Sequence, residues 1–311
     1  MALLAAGVLA AWVGWPSPSK PQPNNPTPNN PTPQNPPTAG PPTLGVGELL
    51  AGHAGPAGEW RLAWWQEDPR VLVIDFPSLR EQGLAMNRVA AFLQKAGAPR
   101  DRLLDDAELA NFIAQRGETN DTFFHGHDFS QADLTRFFQQ ALRQQLRLGM
   151  QELKLRNALT ASGLLSDEPG APRAVVTFTA TQPDDPSTPQ TEAVDALRRE
   201  AILRHELSHG RFYTQPAYRA HCHVLWNEML TERQRQRLRQ HLAELGYDTS
   251  DETLVVNEAQ AYLLHTPDNR AFSAAQAGMG EQELQAVRAQ FWQSLPPEVR
   301  GKDGRQPLKA R

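Results

Sequence analysis

The chain contains a single cysteine, Cys222, in 311 residues. It therefore closes no disulfide within itself and offers no amino-terminal cysteine for lipid attachment. It also lacks an excess of basic charge. The 31 lysines and arginines are outnumbered by 35 aspartates and glutamates, and the formal net charge is -4. That balance gives no footing for the phosphate-neutralising surface of a nucleic-acid binder. No apolar run approaches the roughly 20 residues that a bilayer-spanning helix needs. Ala2 to Trp15 comes nearest, with the length of a secretory apolar core but no lysine or arginine before it. Aromatic residues are few, and all four tyrosines, Tyr213, Tyr218, Tyr247 and Tyr262, fall after position 210.

Proline, by contrast, is concentrated. Twelve of the 26 prolines lie between Pro16 and Thr43, beside one charged residue, Lys20. The repeat Asn24-Asn25-Pro26-Thr27-Pro28 and Asn29-Asn30-Pro31-Thr32-Pro33 cannot build a core and favours extended polyproline conformations. At about 3.1 Å per residue, such a spacer reaches on the order of 80 Å. The start of the chain reads as an export signal or membrane anchor over residues 1–15 and a disordered linker over 16–43. A folded part over 44–311 is then expected in the cell envelope, periplasmic or anchored facing outside the cytoplasm. Within it, a boundary between an amino-terminal subdomain and a later half is expected near residue 170.

The pattern of the folded part is mainly helical. Val71 to Phe76 reads as a buried strand, and Ala174 to Thr179, between Pro172 and Pro183, as a second. Helices are expected from Leu84 to Ala96, ended by Gly97, and in one long stretch from Gln131 to Leu159. Further helices are expected over Ala217 to Leu230, Glu232 to Leu245, Leu254 to Leu264 and Glu281 to Leu295, before a frayed tail from Gly301. Together these elements indicate an α+β fold with a small sheet.

The most informative stretch is His205-Glu206-Leu207-Ser208-His209. Residues four apart lie one turn above each other on a helix, so both imidazoles can face one zinc ion. The adjacent glutamate can then reach a metal-bound water as general base. Thr188-Pro189 reads as the cap and first turn of the helix carrying this motif, and Gly210 as its stop. A catalytic zinc needs a third protein ligand. Gln215 occupies the place where one solution puts a third histidine, six residues beyond the second. Glu258 lies instead in a later helix among Val255, Ala259, Tyr262 and Leu263. A carboxylate among such apolar residues is costly to bury unless it is paired or binds a metal. The expected ligands are therefore His205, His209 and Glu258, with Glu206 as the base.

With these motifs the chain resembles the gluzincin group of zinc metallopeptidases. The likeness rests on His205, Glu206 and His209 in the first motif and on Asn257-Glu258 and Ala261 in the second, and it covers about a quarter of the chain. The wording His-Glu-Leu-Ser-His-Gly with Asn-Glu-Ala-Gln-Ala-Tyr also resembles a set of bacterial cell-envelope proteins. The resemblance implies a zincin-like fold, one zinc ion and a protein or peptide substrate. It also implies a strand near the metal, for which Ala174 to Thr179 is the candidate, as an edge strand or as an ordinary sheet strand. Tyr262 stands where many members carry an aspartate that holds a zinc-bound histidine, so another acceptor is required. Asp128 in His125-Gly126-His127-Asp128 is one candidate, although a loop with solvated histidines is the simpler reading. Tyr213, Tyr218, Tyr262 and His265 are candidates for transition-state or supporting roles. His221-Cys222-His223 reads as a structural cluster, because helical neighbours two apart do not face each other.

The expected function is a zinc-dependent metallopeptidase of the cell envelope, with possible anchoring through residues 1–15 and no nucleic-acid partner. Two alternatives stand beside it: a metal-stabilised binding module without catalysis, and a zinc amidase acting on cell-wall peptides.

Overall fold

Residues 71–76 are buried on both sides, and their alternation divides the protein into layers. In the computed structural model, which describes residues 40–52, 58–165, 170–187 and 192–299, they belong to strand β3. The strands are β1 (Thr43–Leu44), β2 (Arg61–Trp65), β3 (Asp68–Phe76), β4 (His127–Ser130) and β5 (Ala174–Thr179). They form one mixed sheet in the order β1-β2-β3-β5-β4. β3 and β5 run parallel, with Val71 opposite Ala174 and Phe76 opposite Thr179; β4 is antiparallel to β5, with His127 opposite Thr177. Helices α1 (Val46–Leu50), α2 (Leu79–Leu93), α3 (Asp106–Ala114), α4 (Gln131–Arg143) and α5 (Met150–Ala161) belong to the first half. In the second half, α6 (Ala196–Thr214) leads into α7 (Pro216–Val224) and a π-helical turn (Leu225–Met229). Helices α8 (Glu232–Glu244), α9 (Glu252–His265) and α10 (Glu281–Ser294) follow.

Successive strand residues point to opposite faces. Leu72, Ile74, Phe76 and Val175 pack with Met86 and Val89 of α2, Phe137 of α4 and Leu155 of α5. Val71, Val73, Val176 and Phe178 pack on the other face with Leu203 and Leu207 of α6. A third cluster, including Phe212, Tyr218, Leu238, Val255 and Phe291, holds the carboxyl-terminal helices together. The expected α+β class with a small sheet is what the structure has.

Several expectations need correction. The strand Ala174–Thr179 is present, but it pairs with β3 on one side and β4 on the other. Of the two readings open for it, the ordinary sheet strand is the one present: β4 pairs with Ala174 to Thr177, and β1 and β4 are the edge strands. Strands from both sides of residue 170 share the sheet. The last residues assigned to the linker join the sheet: Trp64 N donates to Pro42 O at 2.8 Å, and Thr43 pairs with Trp64. The long helix expected over 131–159 is two helices, broken where Gln145 adopts a φ of 53° and Gly149 caps α5. The apolar start, residues 16–39 of the linker, Thr188-Pro189 and the tail from Gly301 lie outside the described residues. Among the described residues no helix is long and apolar enough to cross a membrane.

Candidate metal centre

Helix α6 is shorter at its start and longer at its end than its sequence signals indicate. Asp195, not Thr188, is the cap: its side chain accepts from Arg198 N at 2.8 Å. Gly210 does not stop the helix, which continues to Thr214. The glycine is needed for packing. A Cβ there would lie 2.8 and 2.9 Å from the two methyl carbons of Val71, inside van der Waals contact with the sheet. Arg199, one turn and a half before His205, forms a bidentate pair with Asp75 of β3 at 2.8 Å for both contacts. Both side chains are buried, so α6 is fixed to the sheet at both ends.

His205, His209 and Tyr213 are spaced by four and therefore occupy one face of α6, which lies against α9. The Nε2 atoms of His205 and His209 lie 3.6 and 3.7 Å from Oε2 of Glu258. Two ligand atoms on a tetrahedral ion with bonds of about 2.0–2.1 Å are separated by about 3.3–3.4 Å, so a small closure would let all three contact one ion. Glu258 Oε2 is buried and has no hydrogen-bond partner. An unpaired buried carboxylate oxygen is costly, and a cation among these atoms would satisfy it. Burial holds the Glu258 carboxyl up at about 8, against the opposing influence of His209 and the Tyr247 hydroxyl. By the same cause the His205 imidazole is pushed down to about 4 and stays neutral. The residues present fit a divalent ion.

The supporting groups come from three other elements. Thr266, just beyond α9, donates its hydroxyl to Ala261 O at 3.0 Å. Its oxygen lies 2.8 Å from His205 Nδ1 and so accepts the ring N–H, leaving Nε2 with a free lone pair. Arg270 holds this segment in place by bridging Asp268 at 2.8 Å and Asp195 at 2.6 Å. Asp128 of β4 faces the other histidine, with its Oδ1 3.9 Å from His209 Nδ1. Tyr213 Oη donates to that same oxygen at 2.6 Å, and Gln94 Nε2 donates to Oδ2 at 3.0 Å. The segment 125–128 is therefore not a loop with solvated histidines: Gly126, His127 and Asp128 are buried, and Asp128 stands near His209 Nδ1, which has no hydrogen-bond partner.

Glu206 lies against β4, with a carboxylate oxygen within 4.8 Å of a ring nitrogen of His209 and of a carboxylate oxygen of Asp128. A Cβ on Gly126 would overlap its carboxylate, lying 2.8 Å from Glu206 Cγ and 2.7 Å from Cδ. Glu206 Oε2 is buried without a partner. Its carboxyl is held far above the usual range by burial, with Asp128 and Glu258 adding to the effect. The Tyr262 ring packs edge-on against His205 with centroids 4.6 Å apart.

The other candidates are committed elsewhere. Tyr218 Oη donates to Gln260 Oε1 at 2.7 Å and lies 2.9 Å from His265 Nε2, so these two serve the packing of α7 on α9. Tyr213 acts on Asp128 rather than on the cluster itself. Cys222 is buried, and burial pushes its thiol up; His221 Nε2 reaches Phe291 O at 3.1 Å. The reading of that cluster as structural agrees with these contacts.

Sequence reasoning missed Thr266, Gly126 and Tyr247. Thr266 offered only a hydroxyl beside Pro267, and Gly126 only a small residue between two histidines. Neither carries a spacing signal. Searches against protein-family models, curated proteins and solved structures give no match for this chain.

Proposed function

We propose that the cluster is a single-zinc hydrolytic centre and that the chain is a metallopeptidase of the gluzincin type, with a zincin-like arrangement around it. The observation that carries this reading is the convergence of His205 Nε2, His209 Nε2 and Glu258 Oε2 beside the unpartnered carboxylate of Glu206. A site serving structure alone has four protein ligands and no use for a base. Two imidazoles and one carboxylate are a donor set suited to zinc, which would supply Lewis-acid polarisation of a carbonyl and a water of lowered pKa.

The remaining steps belong to the chain's own residues. Glu206 takes a proton from the attacking water and passes it to the leaving amine. Its poorly hydrated setting favours holding that proton between the two events. Thr266 keeps the His205 imidazole oriented, and Asp128 is the group nearest to hand for the unpartnered Nδ1 of His209 once the site closes on a metal. Burial holds the Tyr247 and Tyr262 hydroxyls up, with the charges of Glu258 and Glu206 adding to the effect, and these tyrosines are the candidates to donate to the developing oxyanion. The amino-terminal sequence supports action in the cell envelope.

The test is metal content by elemental analysis together with hydrolysis of protein and peptide substrates, with a chelator control. Glu206→Gln is expected to retain the metal and lose hydrolysis, and Glu258→Ala to lose the metal. A fully active Glu206→Gln protein would remove the proposed base. Cleavage of peptidoglycan fragments alone would point to an amidase, and bound metal without any hydrolysis to a binding module.

A further inference from the structure

Helix α6 carries four arginines, and three of them are committed: Arg199 pairs with Asp75, Arg204 with Glu200 and Arg211 with Glu67. The fourth, Arg198, is half-buried, yet its guanidinium holds no ion pair or hydrogen bond among the described residues. Arg198, His205 and His209 are spaced by seven and four, so they share one face of the helix. Two acids stand near the free guanidinium, Asp195 and Asp268. Arg270 claims both, since all four of their carboxylate oxygens accept from it at 2.6 to 3.0 Å. The donors of Arg198 are left over.

What exposure the metal cluster keeps lies at His205, 8% exposed, and Glu206, 6%, whereas His209 and Glu258 are each 1% exposed. Access is therefore from the end of α6 on which Arg198 stands. His125 precedes Gly126, which lies against Glu206, and its Nε2 also has no hydrogen-bond partner. Burial pushes the His125 imidazole down to about 4, and the charge of Arg198 adds to the effect. The ring is thus neutral, stands near the guanidinium and provides no counter-charge for it. The same charge reaches Tyr262, whose ring packs on His205.

We propose that Arg198 binds a substrate carboxylate held about three residues from the cleaved bond, supplied by the peptide's carboxyl terminus or by an acidic side chain. Seven residues of helix rise about 10.5 Å, roughly the length of three extended residues. The planar fork of a guanidinium matches a carboxylate through paired, charge-assisted hydrogen bonds, and the neutral ring of His125 is a second unclaimed donor. The proposal rests on the peptidase reading for the kind of ligand and adds to it a preference among peptides.

The test is calorimetric titration of the zinc-loaded full chain carrying Glu206→Gln, so that binding is read without cleavage. Three kinds of N-acetylated, glycine- and alanine-based peptide are compared: neutral with an amidated terminus, ending in a free carboxylate, and amidated with one glutamate. Peptides with a carboxylate should bind about 10- to 100-fold tighter than the neutral amide, as hydrogen bonds to a charged group allow. Adding Arg198→Met should abolish that difference, and Arg198→Lys should recover part of it, with metal content and circular dichroism unchanged in both. A preference shown only by the free terminus identifies the terminus as the ligand, and one that glutamate reproduces identifies an acidic side chain. Equal binding of all three kinds, no binding of any, or a carboxylate preference that survives Arg198→Met would overturn the proposal. Absence of hydrolysis by the zinc-loaded chain with Glu206 intact would count against the peptidase reading and leave the binding result standing.

Discussion

Asp128 Oδ1 lies 3.9 Å from Nδ1 of His209, although the two residues come from different halves of the chain. The carboxylate is held by Tyr213, Gln94 and Asn257, so its position does not depend on the histidine it faces. His209 Nδ1 has no hydrogen-bond partner, and a carboxylate that came within hydrogen-bond reach of it behind a bound metal would orient the ring and raise its basicity. Asp128→Asn keeps the shape and removes the charge. Metal affinity, measured by competition with a chelator, should fall by about 10- to 100-fold. Unchanged affinity would show that His209 needs no such partner.

Gly126 leaves room for the carboxylate of Glu206 and for nothing larger. Gly126→Ala should displace that side chain while leaving His205, His209 and Glu258 in place. If Glu206 is the base, hydrolysis should drop by about 10²-fold, the scale of a misplacement of about 1 Å. Metal content should be retained. Full activity in this variant would separate Glu206 from the reaction.

Gly210 sets the distance between α6 and the sheet. Gly210→Ala gains about 1 kcal/mol in helix propensity, but the new methyl meets the wholly buried Val71. Overpacking of this kind costs about 1–3 kcal/mol, so the denaturation midpoint should fall. Val71→Ala/Gly210→Ala should recover stability relative to Val71→Ala alone. A midpoint for Gly210→Ala above that of the unaltered chain would refute the packing role.

His127 is buried in β4 between Phe124 and Phe129, and burial pushes its imidazole down to about 3. Its folded pKa thus lies below the unfolded value of 6.5. Between those values the unfolded chain binds the extra proton, so stability is lost as pH falls from 6.5 towards 3. The slope from one such group approaches about 1.4 kcal/mol per pH unit. His127→Phe should flatten the acid limb of a stability profile at some cost at neutral pH, where the contact with Thr177 is missing. An unchanged acid limb would exclude His127 as its source.

The legible parts of this chain were those with local signals. The period of two in Val71–Phe76 and the four-residue spacing of His205 and His209 depend on neighbours in sequence, and both indicated the correct element type. Gly210 was misread because a glycine after an apolar run signals a helix end equally well when it serves a close helix–sheet contact. β4 was missed because four residues with three polar side chains carry no alternation; its burial comes from β5 and α6. Asp128 could be considered but not chosen, since the choice depends on a strand pairing that sequence spacing does not encode.

That pairing would make a metal centre at this cluster depend on completed folding. The three atoms that would meet a metal all lie after residue 200, yet Asp128 and Gly126 reach them only once β4 has joined β5. A chain that had formed α6 and α9 alone would carry the ligands without the acceptor behind His209 and without the surface that positions Glu206. If the cluster holds a metal as proposed, its tight capture is tied to closure of the sheet, and an incompletely folded chain would present a weaker centre.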